Sequence, residues 1–487
     1  MMDSTNRQRF PLVTRRQALQ SAACGFGYLA FAAINGQRAS ASNGRQVSAE
    51  TPALRPHFAP RAKRVIFIFM QGGPSHVDTF DHKVRLEKDH GKRHDFHDAR
   101  TIANSGKRAA TSQSVMKSPW EFRRHGQSGR WVSELFPEMA RHVDDFCLIR
   151  SMQTEGVAHG PATLFMHCGA TTLIRPSIGS WISFGLGSEN DQLPGFVTIS
   201  PSAGNGGARN YGNAFLPPDV QGTALGQAGM PASKAVIRNL TNPALSASER
   251  QARFDLLQEI NAEQLRKSPG DAALEAVIRS YELAWRMQNH APDVLDLSDE
   301  KKSTLELYGI NEKKTEDFGR QCLMARRLCE EGVRYVQVTY GDNTANPAWD
   351  QHSNLPKHAV HAKAVDKPVA GLLADLKQRG LLEDTIVWWG GEFGRTPYAQ
   401  KNGTGRDHNS DGFSVWLAGG GIRPGIAYGE TDEFGHQAVV DRVHMHDLHA
   451  TILHLLGLDH EKLTYRFDGR DFRLTDVHGE VVRGILS

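Results

Sequence analysis

The residues best equipped for chemistry lie in the C-terminal third of this 487-residue sequence. They are Trp349-Asp350-Gln351-His352, then Glu392 within Gly391-Glu392-Phe393-Gly394, then Gly405-Arg406-Asp407-His408-Asn409. Carboxylates and imidazoles are the ligands of hard or borderline divalent metal ions, so Asp350, His352, Glu392, Asp407 and His408 form one candidate ligand set. Each motif alone is more often a loop hydrogen-bond pair; together they flank three separate apolar runs, which brings them to one cleft if those runs are neighbouring strands. The loop Gln71-Gly72-Gly73-Pro74-Ser75-His76-Val77-Asp78 follows a further apolar run and adds His76 and Asp78 as candidate ligands.

Other reactive residue types have plainer readings beside the chemical ones. Arg395 can clamp an anion through paired hydrogen bonds or pair with Glu392 nearby. Ser75 lacks the Gly-x-Ser-x-Gly context of a hydrolase nucleophile and reads first as a helix cap or turn residue. His444, His446, His449 and His454 flank or ride an apolar helix, where packing and capping explain them. The Gly419-Gly420-Gly421 run has no Walker lysine, which argues against nucleotide binding.

The elements that must position these groups follow from the apolar pattern. Arg64-Val-Ile-Phe-Ile-Phe-Met70 reads as a buried parallel strand delivering the Gln71 loop at its carboxyl end, the edge at which open α/β sheets bind ligands. Further strands are predicted at 146–150, 195–199, 333–340, 385–389 and 414–418, and helices at 164–167, 175–187, 360–380 and 447–456. Gly380 and Gly457 stop the last two helices, and Asp447 is predicted to cap the final one. Residues 83–130 read as a basic surface excursion, 201–231 as loop, and 244–331 as several helices forming a cap or insertion. This order predicts an α/β fold with a large, mostly parallel central sheet flanked by helices.

Composition sets the class of protein. Lys plus Arg number 57 against 54 Asp plus Glu, a formal charge of +3, which gives no compositional case for nucleic acid or an anionic membrane as partner. Mean hydropathy is −0.45, as expected for a soluble folded chain. Arg15-Arg16 followed by an apolar run from Ala22 to Ile34 and Ala39-Ser40-Ala41 reads as a twin-arginine export signal over residues 1–41. The run is too short to span a membrane comfortably, which takes about 20 residues. A proline-containing linker is expected at 42–61 and one domain at 62–487. Export implies the twin-arginine machinery as partner and a periplasmic or extracellular destination. Without Cys24, four cysteines remain; Cys322 and Cys329 are about 10 Å apart along a helix, beyond disulfide reach, whereas Cys147 with Cys168 stays open. No Cys-x-x-Cys exists, so a zinc ribbon is excluded.

The segments Gly72–Asp81 (GGPSHVDTFD), Gly391–Pro397 (GEFGRTP), Gly405–Asn409 (GRDHN) and Asp447–Gly457 occur in an order that resembles the domain-of-unknown-function 1501 family. These are secreted proteins abundant in planctomycete-type bacteria and placed in the alkaline phosphatase and sulfatase superfamily. The resemblance covers nearly all of 62–487 and implies an alkaline-phosphatase-like α/β sandwich with metal ligands on strand-end loops. It implies that the superfamily's Asp-x-x-x-His pair is matched by Asp350 and His352 at shorter spacing, its strand-end Asp-His by Glu392 and Phe393, and its later histidine by His408. Its first aspartate is matched by Gln71, a poorer ligand, for which His76 or Asp78 would compensate. The nucleophile segment is matched by His159-Gly160-Pro161-Ala162-Thr163, without the sulfatase Cys-x-Pro-x-Arg pattern. Thr163 or Ser75 would attack, or His159 would act as ligand or covalent acceptor. The function implied is metal-dependent hydrolysis (Zn, Ca or Mg) of a phosphate or sulfate ester, on a small molecule or a sulfated polysaccharide. The alternative is a non-catalytic periplasmic or surface binding protein on the same scaffold.

Overall fold

A computed structural model describes residues 56–97, 110–240, 242, 244–344, 346–400 and 403–487. The leader at 1–41 and the linker residues 42–55 fall outside the described residues. Along the chain, the elements that build the site are β1 (Arg64–Met70), β2 (Phe146–Gln153), α1 (His159–Cys168), α2 (Ile178–Leu186), β3 (Phe196–Ile199), β4 (Thr223–Leu225), α3 (Ala247–Lys267), α4 (Ala272–Leu295), α5 (Glu316–Glu330), β5 (Tyr335–Tyr340) and α6 (Lys357–Gln378). They continue with β6 (Thr385–Gly390), β7 (Gly394–Ala399), β8 (Arg406–Asn409), β9 (Phe413–Ala418), β10 (Ala427–Tyr428), β11 (Val443–His444) and α7 (Met445–Leu455).

Among the described residues, nine strands form the main sheet in the order β10-β2-β9-β6-β1-β5-β3-β4, with β11 also on β2. Every pairing is parallel except those of β9, which runs against both β6 and β2. The reversal has a direct cause. Parallel neighbours need a crossover, whereas an antiparallel neighbour can return from the edge it left, and the chain leaving β6 returns as β9 after building only the β7–β8 hairpin at that edge. The fold is therefore α/β with a large, mostly parallel sheet.

Strand alternation divides the core into two layers. Ile66, Ile68 and Met70 face one cluster with Val336, Val338, Val387 and the apolar sides of α5 and α6. Val65, Phe67 and Phe69 face the other, with Tyr335, Ile386, Trp388 and α1, α2 and α7. All residues of β1, β6 and β9 are buried, as expected where helices cover both faces.

Several sequence expectations are refined by the structure. The interval 201–231 contains the edge strand β4, a segment too short to show a period. Within 244–331, α3 buries none of its residues, while α5 is a core crossover helix packed on the sheet. The final helix is capped by the His444 side chain, and Asp447 sits three residues in, its Oδ2 accepting from the His444 N–H at 2.9 Å. Residues 83–133 carry antiparallel strand pairs at Arg93–His97/Ala110–Ser114 and Phe122–His125/Arg130–Ser133, and Phe96 and Val115 pack in a small core of their own with Val77, Leu86 and Tyr398. Cys147, Cys168, Cys322 and Cys329 are all free and buried.

Asp366 on α6 anchors the chain before β2, accepting from the backbone N–H groups of Glu138 and Met139 at 2.8 Å each. Burial pushes its carboxyl up to about 7 against those hydrogen bonds. Because this folded-state value lies above that of an unfolded Asp, about 3.9, the group favours folding most at low pH and loses that contribution as the pH rises through 7. Urea titrations of wild type and Asp366→Asn are expected to show the wild type losing stability relative to the variant between pH 5 and pH 8; a constant difference would refute the assignment.

Candidate metal centre

Parallel pairing puts the carboxyl ends of β1, β5, β6 and β2 on one edge of the sheet, and the reactive loops leave from it. Gln71-Gly72-Gly73 follows β1, residues 341–352 follow β5, Gly391-Glu392-Phe393 follows β6, and α1 opens at His159 after β2. Two glycines let the loops close together. A Cβ on Gly72, whose φ is +109°, would lie 2.7 Å from the backbone N of both Trp349 and Asp350. One on Gly405 would lie 2.3 Å from the Gln351 and His352 carbonyl oxygens.

At this edge His159, Asp350, His352 and His408 present ligand atoms that all lie within 4.8 Å of one another. The Oδ1 of Asp350 is 2.8 Å from His352 Nε2, 3.2 Å from His408 Nε2 and 3.3 Å from His159 Nε2. Two of the rings are held from behind. His159 Nδ1 lies 2.6 Å from Glu392 Oε1 and His408 Nδ1 lies 2.7 Å from the Val157 carbonyl, so both Nδ1 atoms donate and, in the neutral rings, both Nε2 atoms carry the lone pair. His352 Nδ1 faces Asp407 Oδ1 at 3.7 Å. Glu392 is itself fixed by the Gly72 N–H, at 3.0 and 3.1 Å from its two oxygens.

This donor set fits a divalent metal. The Nε2 of buried His159 faces Asp350 Oδ1 at 3.3 Å, and the His352 and His408 Nε2 atoms face each other at 3.0 Å beside the same anionic oxygen. Acceptors converging in this way repel unless a cation or protons lie between them, and a carboxylate or carbonyl behind each histidine is the usual support of a metal ligand.

Electrostatics agree with that fit. Burial pushes Asp350 up, but the hydrogen bonds from His159, His352 and His408 and the Arg395 charge hold it well below the usual carboxylate range. Burial lowers His408 to about 4, leaving it neutral. Burial also opposes the charged form of His159, yet its hydrogen bonds to Asp350 and Glu392 raise it overall, so with no ion in place a proton on Nε2 bridges to Asp350 and an ion would displace it. Arg395, 1% exposed, donates to Asp350 Oδ1 at 2.8 Å, to the Gly73 carbonyl at 3.0 Å and to the Gly72 carbonyl. Its guanidinium is thus spent on joining the β1, β5 and β7 loops.

Of the residues named from sequence, Asp350, His352 and His408 come together with His159. Glu392 stands one bond behind, through His159, and Asp407 stands behind His352. His76 and Asp78 are engaged elsewhere: His76 Nε2 is 2.7 Å from the Gly435 carbonyl, and Asp78 forms a buried ion pair with Arg406 at 2.7 Å. The Ser75 hydroxyl donates to Asp78. Thr163 lies one turn into α1, fully buried, and its hydroxyl has no partner. Sequence reasoning did not identify the Val157 carbonyl or the Gly72 N–H, which are backbone groups; the paired glycines at 72 and 73 are the one sequence signal for the latter.

A family model described as "Protein of unknown function (DUF1501)" matches residues 62–486. No curated protein matches the chain by sequence. Among solved structures, the alkaline phosphatase from the Antarctic bacterium TAB5 is 10% identical, with a TM-score of 0.33, over 82% of this chain and 99% of that one. The PsFucS1 sulfatase from Pseudoalteromonas sp. is 11% identical at TM-score 0.33, over 82% and 69%. A protein from a Bacteroides thetaiotaomicron glycosaminoglycan-metabolism locus is 11% identical at TM-score 0.37, over 82% and 73%. Likenesses this distant say nothing about activity.

An amide at position 392 keeps an oxygen for the His159 and Gly72 N–H groups, but it turns its own NH2 towards the Gly72 N–H, which lies 3.1 Å from Glu392 Oε2, and removes the negative charge behind the His159 ring. Glu392→Gln is therefore expected to weaken zinc binding about 10- to 100-fold, the usual effect of removing an outer carboxylate, as read by calorimetric titration. An unchanged zinc affinity in a protein with the wild-type melting temperature would remove Glu392 from the centre.

Proposed function

The chain belongs to the DUF1501 family of proteins of unknown function, and from that premise we propose that it is an exported, metal-dependent hydrolase of phosphate or sulfate esters. The observation that carries the proposal is the convergence of three imidazole Nε2 atoms on Asp350 Oδ1 with a hydrogen-bond acceptor behind two of the rings. Three nitrogens and one carboxylate suit a zinc-class ion; calcium and magnesium take oxygen ligands. When bound, such an ion polarises an ester oxygen and makes water more acidic.

The chain's own groups prepare the rest. The side chain of α1's N-cap residue, Ala158, makes no capping hydrogen bond, and the first residue of that helix, His159, belongs to the cage, so the positive end of the helix lies where an anionic ester would sit. His352, with a quarter of its side chain exposed, forms the solvent side of the cage. Thr163 is buried and Ser75 is bonded to Asp78, which favours water over either hydroxyl as the attacking group.

A chelator-treated sample is expected to lose turnover of aryl phosphate or aryl sulfate and regain it with zinc. Asp350→Ala and His408→Ala should each lower kcat/KM by about 100-fold or more, as loss of several kcal/mol of metal-derived stabilisation requires. Turnover indifferent to both substitutions would sink the proposal.

One feature favours a second reading, a binding protein with a structural ion. Four protein donors can close a tetrahedral site, and closed sites are structural. Tightly bound metal with no turnover on any ester tested would select that reading.

Export is the further part of the proposal, and the twin arginines at 15 and 16 support it. A reporter fused to residues 1–41 is expected to leave the cytoplasm, and Arg15→Lys with Arg16→Lys should retain it there. Among the described residues no helix is long and apolar enough to cross a membrane.

A further inference from the structure

The four candidate ligands of the cage are not held alike. His159 opens helix α1 and His408 lies on strand β8; both side chains are less than a tenth exposed, and each Nδ1 donates to a fixed acceptor. The buried Phe393 ring packs on both, its centroid 5.1 Å from that of His159 and 4.3 Å from that of His408. Asp350 is clamped by Arg395. His352 has no such support. It sits on the loop after β5 with a quarter of its side chain exposed, and its Nδ1, 3.7 Å from Asp407 Oδ1, makes no hydrogen bond.

The backbone under that ring is nevertheless fixed. The Gln351 carbonyl accepts from the Arg406 N–H at 3.3 Å, the Ser353 carbonyl accepts from the Thr404 hydroxyl at 2.6 Å, and the Leu355 N–H donates to the Thr404 carbonyl at 3.0 Å. The next two residues, Ser353 and Asn354, are exposed. The imidazole can therefore leave the cage by rotation about its own side-chain bonds, towards solvent and without movement of the loop, a motion that exposed side chains make readily.

We propose that His352 is a displaceable ligand, which gives up its place to an anionic oxygen, either that of an ester substrate or that of inorganic phosphate. The assignment rests on the ester-hydrolase reading and adds to it how a cage of four donors opens, since closed four-donor sites are structural and catalytic ones keep a position for substrate. One nitrogen donor leaves and one oxygen donor enters. His159, His408 and Asp350 stay in place throughout. The vacated position lies within 4.8 Å of the His159 ligand atom, at the positive end of α1, which favours an anion. The buried charges of Asp350, Glu392 and Arg395 sum with a divalent ion to a net positive charge, which favours an anion over a neutral imidazole.

The test loads the full-length protein, with isotopically labelled histidine, with NMR-active cadmium in place of zinc, and counts the imidazoles whose nitrogen couples to the ion. Three are expected without phosphate and two with it, the lost coupling being the one missing from His352→Ala. Sodium chloride at matched ionic strength should leave all three. In calorimetry on the zinc-loaded protein, His352→Ala should bind inorganic phosphate about tenfold or more tightly than wild type, because no ligand has first to leave. Its zinc affinity should fall by no more than about tenfold, against about a hundredfold or more for His408→Ala, whose ring is supported from behind. Three couplings retained at a phosphate concentration that saturates His352→Ala, no phosphate binding by that variant, or a larger loss of zinc affinity in it than in His408→Ala would each overturn the proposal. Turnover of aryl esters judges the hydrolase reading separately. Release of His352 by phosphate without turnover supports the displaceable ligand and fails the hydrolase, whereas turnover with all three couplings retained does the reverse.

Discussion

A single carboxylate oxygen, Asp350 Oδ1, organises this protein's functional edge. Three imidazole nitrogens and one guanidinium approach it within 3.3 Å, and its side chain is only 2% exposed. An isolated buried carboxylate would be costly enough to pick up a proton. Here the neighbours keep it ionised, and it holds their ring nitrogens in place. The arrangement is stable only if every group behind the rings is also fixed, which explains why Glu392, Val157 and Gly72 matter although none points at the cage.

The backbone meets that demand by close approach. Gly72 and Gly405 lie where any side chain would push the 349–352 loop away, so the absence of a Cβ at these positions sets the cage dimensions as much as the ligands do. Arg395 completes the clamp from inside, bonding the Gly72 and Gly73 carbonyls together with Asp350. The reversed strand β9 frees the chain between β6 and itself to form the β7–β8 hairpin above the edge, and that hairpin delivers His408.

Much of this could be read before any coordinates. β1, β5, β6 and β9 announce themselves as short apolar runs because both faces of their sheet are covered, and the candidate ligands Asp350, His352 and His408 stand next to such runs. The short edge strand β4 and the capping role of His444 were not legible: a three-residue strand carries no period, and an imidazole cap is rare beside the Asp that follows it. His76 and Asp78 shared the spacing of ligands, but one turn of short helix aims them at Gly435 and Arg406 instead, a direction that spacing does not encode.

The sequence alone determined which chemistry was available, a nitrogen-and-carboxylate donor set on strand ends, and the α/β order that would bring those ends to one edge. Both follow from local information: residue type, and a hydrophobic period imposed by burial. Tertiary structure alone decided that His159, for which the sequence left the roles of ligand and covalent acceptor open, joins the candidate cage while Glu392 supports it from behind. That choice depends on which helix start faces which strand end and on where two glycines admit a neighbouring backbone, distances set by the packing of the whole sheet.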